Sequence, residues 1–211
     1  MREMGLFGCT IPPEHGGLGL DVVTYSRIVE ELSFGWMSLT GVINTHTMAA
    51  TLIKLHGTPE QQARWLPAMA AGDRRGALSL SEPDAGSDTR NISCRAVRDG
   101  DEYVVNGTKA WVTNGERAGI VALAARTEEG ISAFIVEKEP GPTFEGISVS
   151  KHVGKLGKLL GPVLQDRLGG LLTQPSRAGG AYRAEEGTGM AIELAPLHGE
   201  QHVVLAGIAV D

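Results

Sequence analysis

The chain has 211 residues, 42% of them apolar, enough to bury a substantial core in one large domain or two small ones. Its formal charge of −6 argues against a nucleic-acid polyanion as the main partner. No run of about 18 apolar residues is present to span a membrane, and Met1-Arg2-Glu3-Met4 lacks the basic start and apolar stretch of a secretion signal.

Residues 5–20, GLFGCTIPPEHGGLGL, hold five glycines and two prolines and read as an extended entry rather than a helix. Asp21 then stands as an N-cap. Val22, Tyr25, Ile28, Val29 and Leu32 follow at helical spacing, with Arg27, Glu30 and Glu31 on the other side. A second helix is expected from Ser38 to Leu55, closing at His56-Gly57. Thr58-Pro59-Glu60-Gln61 carries the signals of a third start: a capping hydroxyl, proline in the first turn, and glutamine three residues after the cap. That helix runs through Trp65, Leu66 and Met69 to Gly72.

From Gly76 the apolar period changes from helical to alternating. Strands are expected at Ala77–Ser81, Ile92–Val97, Glu102–Val105, Gly119–Arg126, Ile131–Glu137 and Phe144–Ser150. Asp99-Gly100 and Asn106-Gly107 are dipeptides favoured in tight hairpins, so the pattern predicts antiparallel strands rather than a parallel βαβ sheet. After Gly157 periodicity fades. The remaining residues read either as a poorly ordered tail or as a short helix-and-strand annex around Met190 to Leu194.

Cys9 and Cys94 lie far apart without metal-ligand spacing. They suit inert thiols in a reducing compartment, which points to the cytoplasm, and no metal site is expected.

Two segments carry the chemistry. In Leu78-Ser79-Leu80-Ser81-Glu82-Pro83-Asp84-Ala85-Gly86-Ser87-Asp88 and Ala110-Trp111-Val112-Thr113-Asn114-Gly115, an alternating strand breaks into hydroxyls, glycine and small polar residues. Gly86 removes a Cβ from the path of a planar ligand, and Pro83 stiffens the turn. Ser81, Ser87 and Thr113 can donate and accept, as a heteroaromatic ring with mixed edges requires. Trp111 offers a flat face for stacking. Each also has a plain reading: the serines as turn caps, Trp111 as core, Thr113 as a strand end, Glu82 and Asp88 as solvated or turn-supporting.

Taken in order, IPPEHGGLGL, the helical VEELS, SEPDAGSD and NGTKAWVTNG resemble the acyl-CoA dehydrogenase family over about residues 4–157. The resemblance implies an α+β flavoprotein in three parts: an N-terminal helical segment over 1–74, an antiparallel β-barrel or sandwich domain over 75–157, and a four-helix bundle. The bundle is expected to be absent here, where residues 158–211 form an atypical tail. It implies FAD as cofactor, an acyl-CoA thioester oxidised between Cα and Cβ, an electron-transferring flavoprotein as acceptor, and a homo-oligomer. Carried over by position, Leu78, Leu80, Ser81, Gly86, Ser87, Trp111, Val112 and Thr113 are the expected cofactor residues. Ser81 would face the pyrimidine side of the flavin, Ser87 would also meet the CoA portion, Trp111 would flank the ring, and Thr113 would place its hydroxyl near N5.

The family's catalytic base is a glutamate of the C-terminal domain. Glu185, Glu186, Glu193 and Glu200 do not lie in matching text. No catalytic residue is therefore assigned, and the expectation is a chain truncated at both ends, with weak FAD retention and no turnover. The Gly, Leu, Arg and Ala enrichment after residue 157 fits a shifted reading frame or degraded gene. The alternatives are a non-catalytic assembly fragment, and a flavin-dependent monooxygenase or nitroalkane oxidase on the same scaffold.

Overall fold

The computed structural model describes residues 1–99, 102–141, 143–144, 147–149, 192–194 and 204–206. The glycine- and proline-rich entry makes two short 3-10 turns, Leu6–Gly8 and Pro13–His15, before the first helix. Helix α1, Val22–His56, starts where the Asp21 carboxylate accepts from the backbone N–H groups of Val23 (2.8 Å) and Thr24 (2.9 Å). As expected, this span is two helices in succession: Trp36, at φ −168° and ψ 97° next to Gly35, leaves the helical region and kinks the chain between them. Helix α2, Pro59–Ala70, opens on the expected capping box: Thr58 N–H donates to Gln61 Oε1 at 2.9 Å, and Gln61 N–H to Thr58 Oγ1 at 3.3 Å.

Among the described residues nine strands follow. They are β1 Gly76–Ser79, β2 Arg95–Asp99, β3 Glu102–Lys109, β4 Ile120–Arg126, β5 Ile131–Glu137, β6 Thr143–Phe144, β7 Ile147–Val149, β8 Ile192–Leu194 and β9 Val204–Ala206. Their order is β6-β7-β8-β3-β2-β4-β5-β9, with β1 also on β4. The fold is α+β as expected, but the sheet is mixed. β2–β3 and β4–β5 are antiparallel hairpins, whereas β1 runs parallel to β4 from Gly76↔Ile120 to Ser79↔Leu123. β2 touches β4 in parallel at Arg95↔Arg126. The reason is geometric: β1 and β2 point the same way and lie end to end along β4, with residues 80–94 leaving the sheet between them.

Asn106-Gly107 is not the expected turn, since β3 passes straight through it. Glycine is required there by close approach: a Cβ on Gly107 would sit 2.7 Å from Cys94 Cα. Within the expected Phe144–Ser150 strand there are two short pieces, β6 and β7, and β8 falls inside the annex region. Apart from β8 and β9, residues 158–211 lie outside the described residues.

β4 is buried along both faces, as a central strand should be. Val121, Leu123 and Ala125 face Cys94, Val105, Val112 and Phe134. Ile120 and Ala122 face Ala49, Ile53, Trp65, Leu66 and Met69 of the helices. Polar ties reinforce this second layer: Trp65 Nε1 donates to Glu137 Oε1 at 2.8 Å and Arg74 to Oε2 at 2.9 Å. Among the described residues no helix is long and apolar enough to cross a membrane.

Candidate functional site

The two chemistry-bearing segments meet where β1 ends and β3 runs on past its last rung. Ala110 N–H donates to the Ser81 carbonyl at 2.8 Å, and Lys109 Nζ donates to the Leu80 carbonyl at 3.0 Å. Ser81 is therefore fixed beside Trp111. The excursion begins with a tight turn across Pro83-Asp84, closed by Glu82 N–H to Ala85 O at 2.9 Å and Ala85 N–H to Glu82 O at 3.2 Å.

Glu82 is the keystone of the excursion. It is 3% exposed, and its carboxylate accepts from Ser93 N–H (2.5 Å), Ser93 Oγ (2.7 Å), Cys94 N–H (2.9 Å) and Lys109 Nζ (2.8 Å). Burial pushes its carboxyl up, but these four bonds outweigh burial and hold it well below the usual carboxylate range. Lys109 is fully buried opposite. Expecting Glu82 to be solvated was wrong; expecting it to support the turn was right. Lys109 was not singled out from the sequence, although one acid and one base flanking the two motif segments is the signal that finds the pair. Cys94, packed against them, has its thiol pushed up to about 11 by burial.

The site residues divide by environment. Leu78 and Leu80 project toward the helices and line an apolar cleft of about 440 Å³ with Thr47, Met48, Thr51 and Leu52 of α1, Ala122 and Ala124 of β4, and Ile131 and Ala133 of β5. Ser81 and Thr113 are half-buried. Gly86 and Ser87 stand exposed further along the excursion, and a Cβ on Gly86 would meet no atom within 4 Å, so nothing in the chain itself demands glycine there. The Val112 side chain is buried in the core with Cys94, Val105 and Phe134. Trp111 is 50% exposed and holds φ 62°, the left-handed region that a bulky residue rarely enters.

Asn114, next to last in this segment, was also missed. At φ 67° and 2% exposed, it donates from Nδ2 to the carbonyls of Val42 on α1 (2.9 Å) and Gly76 on β1 (3.1 Å). One amide thereby ties the turn after Trp111 to both the helix and the strand. His46 makes a second tie between layers. It accepts Gly76 N–H at Nδ1 (2.8 Å), sits 3.1 Å from Phe7 O at Nε2, and packs edge-on against the Phe7 ring.

Among the described residues no group of three or more His, Cys, Asp or Glu could hold a metal ion. His198 and His202, four apart in the sequence and overlooked in the expectation of no metal site, lie outside the described residues.

Comparison with known proteins places this geometry. The family model for the acyl-CoA dehydrogenase N-terminal domain matches residues 1–73, and that for the middle domain matches residues 77–160. A short-chain specific acyl-CoA dehydrogenase of Clostridium acetobutylicum is 40% identical over 163 residues, covering 74% of this chain and 42% of that protein. The bovine mitochondrial short-chain specific enzyme is 41% identical over 165 residues, covering 74% and 39%. A glutaryl-CoA dehydrogenase from Mycobacterium smegmatis solved in complex with FADH2 superposes with a TM-score of 0.71 at 26% identity, covering 98% of this chain and 46% of that one. The chain thus spans between 27% and 42% of the length of the first curated relatives it matches.

Proposed function

The chain belongs to the acyl-CoA dehydrogenase family, and from that premise we propose that it provides the sheet-and-helix wall of a flavin site for α,β-dehydrogenation of an acyl-CoA thioester. The single observation that carries this is the junction of the two segments. The bond from Ala110 N–H to the Ser81 carbonyl sets the two segments side by side, and Leu78 and Leu80 line the apolar cleft.

The residues fit FAD. A flat heteroaromatic ring needs a stacking face and mixed donors and acceptors at its rim, and Trp111, Ser81 and Thr113 supply both. When bound, the flavin supplies the hydride acceptor. Thr113 is proposed to hold its hydroxyl at the accepting edge of the ring, and Ser81 to steady the opposite, pyrimidine side by backbone and hydroxyl. Trp111 stacks and excludes water. Leu78 and Leu80 bound the ring's apolar margin, Gly86 leaves room for close approach, and Ser87 orients the CoA portion. Val112 contributes through its backbone.

Met48, Thr51, Leu52 and Leu80 are proposed to receive the acyl chain, since an almost wholly apolar groove of this size suits a hydrocarbon. Glu82 is not the base that removes the Cα proton. Its carboxylate is committed to Lys109, Ser93 and Cys94, and no catalytic residue is assigned. Electrons are proposed to pass to an electron-transferring flavoprotein, with the protein acting as a homo-oligomer. The two free, buried cysteines suit a reducing compartment, and the cytoplasm is the proposed setting.

The test is a titration of the full chain with FAD followed by a fluorescent long-chain acyl-CoA. A saturable shift of the visible flavin band is expected. Met48→Trp, which fills the cleft, should weaken acyl-CoA binding at least about tenfold, about 1.4 kcal/mol, while leaving FAD binding as in the parent. Absence of any saturable flavin shift overturns the flavin reading; unchanged acyl-CoA affinity in Met48→Trp overturns the placement of the acyl chain.

A further inference from the structure

Trp111 poses a physical problem. A left-handed backbone is unfavourable for a large L-residue, and half of the side chain is out in solvent, so its own packing does not hold it there. Such a conformation persists only where its neighbours over-determine it. Both neighbours are unusually fixed. On one side, Lys109 is locked in a fully buried ion pair with Glu82 at 2.8 Å and bonded to the Leu80 carbonyl, while Ala110 N–H is bonded to Ser81. On the other, Asn114 is pinned to Val42 and Gly76. Val112, between them, has its side chain anchored in the core. The peptide from 109 to 114 is therefore nailed at three points, and Trp111 is the residue left standing out.

We propose that Glu82, Lys109 and Asn114 are positioning residues that hold Trp111 in its left-handed, outward pose beside Ser81, so that its indole is pre-set to stack on a planar ligand ring. This rests on the reading of Trp111 as part of a flavin wall. It goes beyond that reading by assigning the pose to a buried ion pair and one amide. Pre-setting the aromatic removes the ordering cost that a mobile side chain would impose on binding. The ion pair suits this task better than an apolar pair, because its direction and the shared carbonyl of Leu80 fix the register between the two segments.

A merely structural ion pair and a positioning one differ in a measurable way. In the full chain labelled with 5-fluorotryptophan, the Trp111 resonance is assigned by Trp111→Phe and read alongside those of Trp36 and Trp65. Lys109→Met should displace the Trp111 resonance toward that of a mobile, solvated indole, leave Trp65 in place, and weaken FAD binding about tenfold or more. It leaves Glu82 buried without its partner, so the double variant Glu82→Gln/Lys109→Met carries the test if the single variant does not fold. Removing both charges should recover fold stability. Positioning predicts that the Trp111 resonance stays displaced in the double variant and that FAD affinity stays low. Asn114→Ala should displace the same resonance from the other side.

If the double variant returns the Trp111 resonance and the FAD affinity to parent values, the pair is structural only and the proposal falls. If the parent binds no FAD, the flavin reading fails instead, and the ligand-free Trp111 resonance still decides whether these residues set the pose.

Discussion

Gly76, the first residue of β1, donates its backbone N–H to Nδ1 of His46 at 2.8 Å. That bond places the imidazole proton on Nε2, where the Phe7 carbonyl accepts it at 3.1 Å. Both ring nitrogens are thereby used by a neutral, fully buried histidine joining the entry segment, α1 and the sheet.

Burial lowers the His46 pKa to about 4 from its ordinary 6.5. The unfolded chain takes up this proton near pH 6.5 and the folded chain resists until near pH 4. The neutral form's contribution is therefore complete above pH 6.5 and is lost as pH falls toward 4. The loss should reach about 3 kcal/mol. Urea midpoints measured across this window should fall more steeply for the parent than for His46→Gln. Equal slopes would refute the assignment.

This tie was invisible in the sequence, and the reason is general to the chain. The cap of α1 at Asp21, the capping box at Thr58 and the continuous apolar run of β4 were legible because each is a local pattern of hydrogen bonding or burial. The parallel run of β1 on β4 was not, since it joins residues far apart and leaves no local mark. Asn106-Gly107 misled for a related reason. Glycine there answers to the Cα of Cys94 on the neighbouring strand rather than to a turn. In the site, the exposed and half-exposed residues stood out by type. Glu82, Lys109 and Asn114 did not, because what distinguishes them is burial and partners.

Asn114 should show a characteristic order of substitutions. Asn114→Ala strands the carbonyls of Val42 and Gly76 and keeps a Cβ at positive φ, for a loss of about 2–4 kcal/mol. Asn114→Gly loses the same bonds but relieves the backbone, and should be milder by about 1 kcal/mol. Thermal unfolding of the three proteins should rank Asn above Gly above Ala. Alanine at or above glycine would contradict the left-handed assignment.

Trp111→Gly separates stability from binding. Relief of the left-handed backbone, about 1–2 kcal/mol, offsets the added freedom of glycine in the unfolded chain. Stability is expected within about 1 kcal/mol of the parent while FAD affinity falls at least about tenfold. A large stability loss with unchanged affinity would make Trp111 a structural residue.

The tandem placement of β1 and β2 along β4 has a consequence for how this scaffold can vary. Both ends of the excursion are held by bonds to β3 and β4, Lys109 and Ala110 at Leu80 and Ser81 and Arg126 N–H on the Cys94 carbonyl at 2.8 Å, and its neck is closed by Glu82 reaching across to Ser93 and Cys94. Within the segment Ala85 and Ile92 are buried against Ala124 and must stay apolar, whereas Pro83, Asp84, Gly86, Ser87 and Asp88 are exposed and can change without disturbing the strands on either side. The exposed tip from Gly86 to Asp88 is thus an exchangeable rim, in which new ligand contacts can be tried without retuning the sheet that carries it.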